Sequence, residues 1–463
     1  MINNDIICAI STPPGMGALA IIRLSGKGCI ALTHKVFISP GGKKLTDASR
    51  NTVHFGRVVD NDEILDEVLV TVFHAPHSFT GEESVEISCH GSVYIQQKLL
   101  ELFLTIGARL AQAGEFTQRA FKNGKLDLSQ AEAVADLIAS ESKASHRVAM
   151  NQMRGGFAKK LTLLRDKLLH FASLIELELD FSEEDVEFAN RNHLFDLTVN
   201  IEKEIETLAD SFRMGNAIKS GIPVAIIGET NVGKSTLLNL LLNEDKAIVS
   251  DIHGTTRDVI EDVVNINGVT FRFIDTAGIR QTSDVIESMG IERTYQKIEQ
   301  ASIVIWMIDL TTSIDKIESL ASLITPKLQD KNLILLFNKA DLLSVDQQEE
   351  FNSILPDLEA TRLFISAKQH HNSTQLKDLL VNTAAIPSIG EDDVSVTNMR
   401  HYHALKKALE AIIRVKGGLE LEITHDFLAQ DIRECMFYLG EITGQISTDE
   451  ILGSIFSKFC IGK

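Results

Sequence analysis

The octapeptide at residues 228–235 constrains the fold of this chain more than any other feature of its sequence. It has the form G-x-x-x-x-G-K-S, follows a short apolar run and precedes a leucine-rich stretch. A strand, a glycine-rich turn and a helix in this order form a loop that wraps around nucleotide phosphates. Lys234 places a positive charge near the β- and γ-phosphate oxygens, and Ser235 offers a hydroxyl to Mg²⁺. The sequence therefore predicts an α/β nucleotide-binding domain.

The sequence around this loop has the alternating pattern that is typical of an α/β domain. Short apolar runs with the length of buried strands recur between Pro223 and Pro387, and helical or loop sequence separates most of them. Asn267 and Gly268 predict a two-residue hairpin turn between the apolar segments 259–266 and 269–274. The predicted strands are 224–227, 270–274, 303–308, 333–337 and 363–365.

Two further motifs follow in the order that a GTPase requires. Residues 275–278, Asp-Thr-Ala-Gly, end a predicted strand, where the Asp can hold Mg²⁺ through water and the Gly amide can contact the γ-phosphate. Residues 338–341, Asn-Lys-Ala-Asp, follow the predicted strand at 333–337. The Asp341 carboxylate suits guanine, whose N1–H and 2-amino group both donate, whereas adenine would leave it unpaired. GTP is therefore the predicted substrate, with residues 366–368, Ser-Ala-Lys, behind the base.

The residues that would catalyse GTP cleavage depart from the pattern of Ras-like GTPases. Thr256, between the phosphate loop and the second strand, is the candidate for a second hydroxyl on Mg²⁺. Ile279 stands where Ras-like GTPases carry the Gln that orients water, so another group must replace it. Asn231 could coordinate a monovalent cation beside the phosphates. Glu287 could orient water, although a solvated surface charge is the commoner role for such a residue.

The flanks of the α/β segment are helical. No proline occurs between Pro76 and Pro223 or after Pro387, as long helices require. Apolar residues recur at helical spacing in both tracts, so one helical domain is predicted, with the α/β domain inserted into it. The two apolar stripes are Leu161, Leu164, Leu168, Phe171, Ile175 and Leu179, and Leu405, Leu409, Ile412, Val415 and Leu419.

The beginning of the chain differs from the rest. Its segments alternate in β fashion between glycine and proline turns, which predicts a separate α+β domain. The predicted domains are an N-terminal domain at 1–120, a helical domain at 121–220 and 387–463, and an inserted domain at 221–386.

Composition excludes several classes of protein. With 45 Lys and Arg against 64 Asp and Glu, the net charge of −19 argues against nucleic-acid binding over the whole surface, though not against a local basic patch. The five cysteines are widely spaced and form no C-x-x-C pair, so neither a disulfide framework nor a zinc site is expected. Without a membrane span or a basic signal region, we expect a cytoplasmic protein with no membrane partner.

Several longer strings resemble the tRNA modification GTPase family MnmE, also called TrmE. The similarity covers essentially the full length, and the strings near the two ends are more specific than the GTPase motifs. Besides 231–235, 254–258 and 275–280, the strings are Thr-Pro-Pro-Gly at 12–15, GEFTQRAF at 114–121, KLDLSQAEA at 125–133 and FCIGK at 459–463.

The resemblance implies both a fold and an activity. The fold would be multidomain, α/β and α+β, with an N-terminal α+β folate-binding domain and a central helical domain interrupted by an inserted Ras-like P-loop GTPase domain with a mostly parallel sheet. The N-terminal domains would form a homodimer and bind a 5-formyl or 5,10-methylene tetrahydrofolate. With a flavoprotein partner, MnmG, which would carry FAD, the resulting heterotetramer would add an aminomethyl-type group to carbon 5 of the wobble uridine of certain tRNAs. Potassium would activate hydrolysis by joining the GTPase domains across the nucleotides.

The resemblance also assigns roles to residues in the GTPase motifs. Potassium would be held by Asn231 and the backbone of Ser250, Ile252 and Thr255, and magnesium by Ser235 and Thr256. Glu287 matches the water-positioning glutamate of the family and would act in catalysis with Lys234. The predicted GTP-binding residues are Asn231, Val232, Gly233, Lys234, Ser235, Thr236, Ser250, Asp251, Ile252, Thr255, Thr256, Asp275, Thr276, Ala277, Gly278, Asn338, Lys339, Asp341, Ser366, Ala367 and Lys368.

For folate, the positions that match the family are Arg23, Glu86, Lys125 and Lys463. Cations suit the glutamate tail of a folate, and a carboxylate suits the amino groups of the pterin. The terminal segment 455–461 is too apolar for a solvated tail, so we expect it to dock on protein. Cys460 would have either a chemical role or a buried structural one.

Two other functions remain open at this point. The chain could be a ribosome-assembly GTPase acting as a nucleotide-switched RNA-binding module, but no two of its 29 glycines are three apart, so the G-x-x-G loop of a KH domain is absent. It could also be a GTP-dependent scaffold without modification chemistry. Binding of a reduced folate would distinguish a tRNA modification GTPase from both of these alternatives.

Overall fold

The chain forms two compact units. One comprises Met1–Ile138, Gln152–Lys203 and Ala404–Lys463, and the other comprises Ala139–Asn151 and Glu204–His403. The domain boundaries stated above remain predictions. The computed structural model describes residues 5–180, 191–245, 262–274, 295–344, 348, 351, 354–355, 358–384, 395–421, 423–447, 449–457 and 459–462.

A seven-stranded sheet organises the first unit, with the order β3-β4-β5-β6-β2-β1-β7. Adjacent strands are antiparallel except β1 and β7. Aliphatic side chains such as Ile22, Val70 and Ile87 form its core together with apolar residues of the first two helices. The strands are β1 (Ile7–Ile10), β2 (Leu19–Ser25), β3 (Phe37–Ile38), β4 (Thr52–Asp60), β5 (Glu63–Phe73), β6 (Ser84–His90) and β7 (Arg109–Leu110).

A six-stranded sheet organises the second unit, with the order β13-β12-β11-β8-β10-β9. Only β9 is antiparallel to its neighbour, across the hairpin turn predicted at Asn267 and Gly268. Both turn residues have positive φ, 51° and 84°, as this tight turn requires. The strands are β8 (Ile222–Ile227), β9 (Asp262–Ile266), β10 (Val269–Phe273), β11 (Ile303–Asp309), β12 (Asn332–Asn338) and β13 (Thr361–Phe364).

Long helices account for the proline-poor tracts. Both predicted stripes lie on helices, and their members that the structure describes are buried. The helices are α1 (Cys29–His34), α2 (Val93–Thr105), α3 (Glu115–Lys122), α4 (Leu128–Ile138), α5 (Lys143–Met153), α6 (Gly156–Asp180), α7 (Arg191–Ser220), α8 (Lys234–Asp245), α9 (Ile314–Ile324), α10 (Ser373–Ala384), α11 (Met399–Glu420), α12 (His425–Thr443) and α13 (Asp449–Phe456). The expected combination of α+β, helical and mostly parallel α/β parts is confirmed.

The predicted GTP-binding motifs lie at one edge of the second sheet. β8, β11 and β12 run side by side in the same direction, so their carboxyl ends meet at that edge. The phosphate loop follows β8, Asp309 is the last residue of β11, and the Asn338–Asp341 motif begins at the last residue of β12. No helix in the described part of the chain combines the length and the apolar character that a membrane span requires.

Candidate functional sites

The phosphate loop is a sharp turn between β8 and α8. Gly228, Asn231 and Gly233 have φ of 144°, 65° and 106°, conformations that favour glycine and are tolerated by asparagine. A Cβ on Gly228 would lie 2.4 Å from the carbonyl oxygen of Met307, and one on Gly233 would lie 2.4 Å from Nδ2 of Asn338. No larger residue fits at either glycine, so this backbone shape depends on both.

Lys234, the first residue of α8, lies across the mouth of this loop. Its ammonium donates to the carbonyl oxygens of Gly228 at 2.8 Å and Glu229 at 2.5 Å. Burial, with a smaller contribution from the neighbouring charge of Lys297, lowers the pKa of Lys234 to about 8, although Glu229 acts in the opposite direction. A desolvated cation at the N-terminus of a helix fits an anionic ligand such as a phosphate.

We expect GTP binding at pH 8.5 to be coupled to proton uptake by Lys234. Free Lys234 loses its charge as the pH rises through about 8, whereas bound phosphate raises its pKa again, so about half a proton or more per GTP is taken up. Calorimetric titration in two buffers with different ionisation enthalpies measures this number. The Lys234→Arg variant keeps its charge at this pH and is the control; equal uptake by the variant and the wild type would contradict the prediction.

Asn338 joins the phosphate loop to the guanine side of the site. Its Nδ2 donates to the carbonyl oxygen of Val232 at 2.7 Å, and its Oδ1 accepts from the backbone N–H of Ala367 at 3.0 Å. The side chain is only 5% exposed, so neither bond can be replaced by water without a rearrangement. One buried amide therefore holds three separate segments of the predicted GTP site together.

Lys339 is fixed by an ion pair that the sequence motif does not contain. Its ammonium pairs with the carboxylate of Asp309, at the end of β11, and the other carboxylate oxygen accepts from N and Oγ1 of Thr311 at 2.9 and 2.8 Å. Burial alone would raise the pKa of Asp309, but the bonds from Lys339 and Thr311 hold it below its usual range. Asp309 thus stabilises the backbone turn that leads to Asp341.

Asp341 lies in the short 3₁₀ turn Ala340–Leu342, and its carboxylate is exposed. Nε2 of Gln369 donates to Oδ2 of this carboxylate at 3.2 Å. Asp341 therefore already accepts an N–H donor of the kind that a guanine base would present. Ser366 and Ala367 are buried behind this turn, and Lys368 is exposed.

The structure brings together the described part of the predicted GTP site. Val232, Asn338 and Ala367 are in contact through hydrogen bonds, and Ser235 and Thr236 follow Lys234 in the first turn of α8. The predicted residues outside the described ranges are Ser250, Asp251, Ile252, Thr255, Thr256, Asp275, Thr276, Ala277, Gly278, Glu287 and Lys463.

A second polar site lies on the sheet of the first unit. Arg23 on β2 and Glu86 on β6 are register partners, and Nε and Nη2 of Arg23 contact Oε1 of Glu86 at 2.9 and 2.8 Å. Their side chains are 23% and 29% exposed, so the pair is accessible from one side. The predicted folate residues Arg23 and Glu86 thus form one ion pair. Lys125 is exposed, and its Nζ donates to the carbonyl oxygen of Pro76 at 3.2 Å.

The end of the chain docks beside this pair. The carbonyl oxygen of Gly462 accepts from Oγ of Ser11 at 3.1 Å and from Nη1 of Arg23 at 3.4 Å. Ile461 forms a β-bridge with Ala113, which confirms that the terminal segment is held on protein. Cys460 is exposed, so the alternative of a buried structural thiol is wrong.

Sequence reasoning missed several residues of both sites. Asp309 belongs to no motif, and only its position directly after a predicted strand could have indicated it. Ser11 precedes the quoted string at 12–15 by one position. Phe79 and Phe116 flank Arg23 at 5.8 and 5.7 Å from its Cζ, a contact between distant segments that no spacing reveals.

Three features define the class of protein to which this chain belongs. They are a mostly parallel sheet, a phosphate loop after β8 and a guanine-type motif at the end of β12. The second unit contains a P-loop GTPase fold, and the first unit contains an α+β sheet and helices.

Comparison with known proteins gives the family. Models of the "GTP-binding protein TrmE N-terminus" and the "MnmE helical domain" match residues 6–125 and 128–460. The tRNA modification GTPase MnmE of Bacteroides thetaiotaomicron is 58% identical over 465 residues, and that of Flavobacterium johnsoniae is 54% identical over 466; the alignments cover 100% of each chain. A crystal structure of an Aquifex aeolicus Era variant bound to GDP.AlF4- is 30% identical, with a TM-score of 0.28 over 41% of this chain and 66% of that one. The chain belongs to the tRNA modification GTPase MnmE family, and it is a GTP hydrolase of that family.

Proposed function

We propose that this protein is a potassium-activated GTP hydrolase that modifies tRNA together with a flavoprotein partner. The pair adds an aminomethyl-type group to carbon 5 of the wobble uridine of certain tRNAs, with a tetrahydrofolate derivative as the one-carbon donor. The protein acts in the cytoplasm as a homodimer, and the flavoprotein MnmG, which carries FAD, completes a heterotetramer. The GTPase domain spans residues 221–386 and interrupts the helical domain at 121–220 and 387–463, after the folate domain at 1–120.

The observation that supports this proposal most is the Arg23–Glu86 pair beside the docked chain end. This partly exposed ion pair, whose arginine also donates to the carbonyl oxygen of Gly462, offers a cation and a carboxylate to a ligand at one accessible place. The guanidinium has five N–H groups and uses three contacts on Glu86 and Gly462, so donors remain for a ligand carboxylate or carbonyl. Glu86 keeps lone pairs for amino groups such as those of a pterin. Both chemistries belong to a folate.

The residues at the GTP site fit a magnesium nucleotide. The two positive-φ glycines let the loop turn tightly against Met307 and Asn338, and Lys234 and the N-terminus of α8 offer positive charge to phosphate oxygens. Ser235, next to Lys234, would supply a hydroxyl ligand to Mg²⁺, with Thr256 as the second. The metal neutralises charge on the β- and γ-phosphate oxygens. Asn231 would hold potassium with the backbone of Ser250, Ile252 and Thr255, and Glu287 would orient the attacking water.

Mass spectrometry of wobble uridines tests the whole proposal. Cells that lack this protein should lose the carbon-5 aminomethyl-type group, and the wild-type gene should restore it. Unchanged modification in the deleted cells would refute the tRNA function. Purified protein that fails to bind 5-formyl-tetrahydrofolate would refute the donor.

We expect removal of residues 461–463 to weaken folate binding and to spare GTP turnover. The deletion removes the Gly462 carbonyl that orients Arg23 and the predicted contact of Lys463 with a folate carboxylate. A charge-assisted contact contributes about 1.5–3 kcal/mol, which corresponds to roughly ten- to a hundredfold in affinity. Calorimetry with 5-formyl-tetrahydrofolate and a GTPase assay measure the two effects.

Removal of Lys463 alone separates the two contributions, because it removes only the predicted Lys463 contact and leaves Gly462 in place. Unaltered folate affinity after both deletions would contradict the predicted contacts. Parallel loss of folate binding and GTP turnover would show that the truncation disturbs folding instead.

A further inference from the structure

The loop between β5 and β6 is held rigidly at the edge of the Arg23–Glu86 pair. From the side of α3, Lys125 Nζ donates to the carbonyl oxygen of Pro76 at 3.2 Å and Asn123 Nδ2 to that of Thr80 at 2.7 Å. Within the loop, Oγ of Ser78 donates to the carbonyl oxygen of Glu82 at 2.6 Å. The backbone on both sides of residue 79 is therefore tied to neighbouring segments.

Buried polar groups anchor the end of the same loop. The Glu82 carboxylate accepts from Oγ of Ser25 at 2.9 Å and from Nη1 of Arg119 at 3.1 Å. Thr80 and Ser25, both fully buried, share a hydrogen bond of 2.7 Å between their hydroxyl oxygens. None of these bonds involves the ring of Phe79, so the loop keeps its shape without that ring.

Phe79 is the residue that this loop presents to the pair. The Arg23 guanidinium lies between two rings, with its Cζ 5.8 Å from the centroid of Phe79 and 5.7 Å from that of Phe116. The two rings have different surroundings. Phe116 is fully buried in a cluster with Ile7, Ala9 and Ala111, whereas Phe79 is 38% exposed. Phe116 belongs to the core, and Phe79 has an apolar surface left over beside a recognition pair.

We propose that Phe79 contacts the ligand bound at the Arg23–Glu86 pair and stacks on its conjugated rings. The inference rests on the proposed folate site and adds a residue to it. The ligand class is a conjugated ring with amino donors and a carbonyl oxygen, which Phe79, Glu86 and Arg23 match in turn. A half-exposed ring on a rigid loop loses little conformational entropy when a second ring covers it.

The experiment replaces the ring and keeps the loop. Phe79→Leu retains apolar volume without a ring, Phe79→Ala removes both, and Phe79→Trp restores a ring. Phe427→Leu is the matched control, because Phe427 is 63% exposed on α12 and belongs to neither site. Each full-length variant is titrated with 5-formyl-tetrahydrofolate by calorimetry, and its thermal unfolding and GTP turnover are recorded.

We expect Phe79→Leu and Phe79→Ala to bind about ten- to a hundredfold more weakly, the range for loss of a stacked ring, which is about 1.4–2.7 kcal/mol. Phe79→Trp should bind within about threefold of the wild type. Ligand should also quench the added tryptophan beyond any change in the wild type, whose only tryptophan is Trp306. Unfolding temperature, GTP turnover and the Phe427→Leu affinity should stay unchanged.

Two results would overturn the inference in different ways. If the wild type binds the folate and Phe79→Leu binds it equally well, Phe79 is no ligand contact and the folate site stands without it. If the wild type does not bind the folate, the proposed function fails and the inference fails with it. Weaker binding together with a lowered unfolding temperature in all three Phe79 variants would show that the ring is structural, and would also overturn the inference.

Discussion

Asp341→Asn should exchange GTP for XTP as the preferred substrate. If the carboxylate accepts from the 2-amino group of guanine as predicted, the asparagine amide places an N–H donor there, so two donors would face each other. Xanthine carries an oxygen at that position and pairs with the amide. A site built to accept a substrate N–H rejects the analogue without it by about 10⁴–10⁵, and we expect a change of at least about 10³ in the ratio of kcat/KM for the two nucleotides.

Hydrolysis assays with GTP and XTP measure this exchange. Asp330→Asn is a matched control: it makes the same chemical change at an exposed position of the same unit, where φ of 64° suits asparagine as well as aspartate. The control should keep the GTP preference and turnover of the wild type. An Asp341→Asn protein that still prefers GTP would contradict the assignment of Asp341 to the base.

Hydrolysis of GTP should depend on potassium. The chain carries Ile279 in place of the water-orienting glutamine, and no arginine finger is evident in its motifs. Asn231 occupies the left-handed region of the phosphate loop at φ 65° and is exposed, so its amide is accessible beside the phosphates. A cation there would supply the charge that an arginine finger gives elsewhere, which is worth about 10³–10⁵ in rate.

Rates in potassium chloride and sodium chloride at matched ionic strength test this dependence. Sodium is smaller and should activate less. Asn231→Ala should lower the potassium response while nucleotide binding in sodium chloride stays close to that of the wild type. Equal turnover in the two salts would exclude a potassium site.

Structure was predicted best from the sequence where it depends only on residues close together along the chain. The hairpin at Asn267 and Gly268 was predictable because these residue types adopt the positive φ that the favoured two-residue turn requires. The stripe from Leu161 to Ile175 is buried because a repeat of 3.6 residues places its members on one face of a helix. Strand ends were less certain. β12 extends one residue beyond the predicted run at each end, to Asn332 and Asn338, because backbone pairing with β11 continues where the apolar pattern stops.

Contacts between distant segments could not be predicted from spacing. Arg109 and Arg119 form ion pairs with Asp5, more than 100 residues away along the chain, and with Glu115 on α3. Burial would raise the pKa of Glu115, but the bonds from Arg109, Gln112 and Arg119 lower it. Nothing in a single sequence distinguishes these charges from solvated ones, because their partners are chosen by the fold.

The docking of Gly462 on Ser11 and Arg23 has a consequence for biosynthesis. Ribosomes add about 5–20 residues per second, so the seven-stranded sheet is synthesised roughly 20–70 s before residues 461–462. During that interval the Arg23 site lacks the contact with the carbonyl oxygen of Gly462. An affinity tag joined directly after residue 463 would lie next to these contacts, so recombinant protein for folate studies should carry its tag elsewhere.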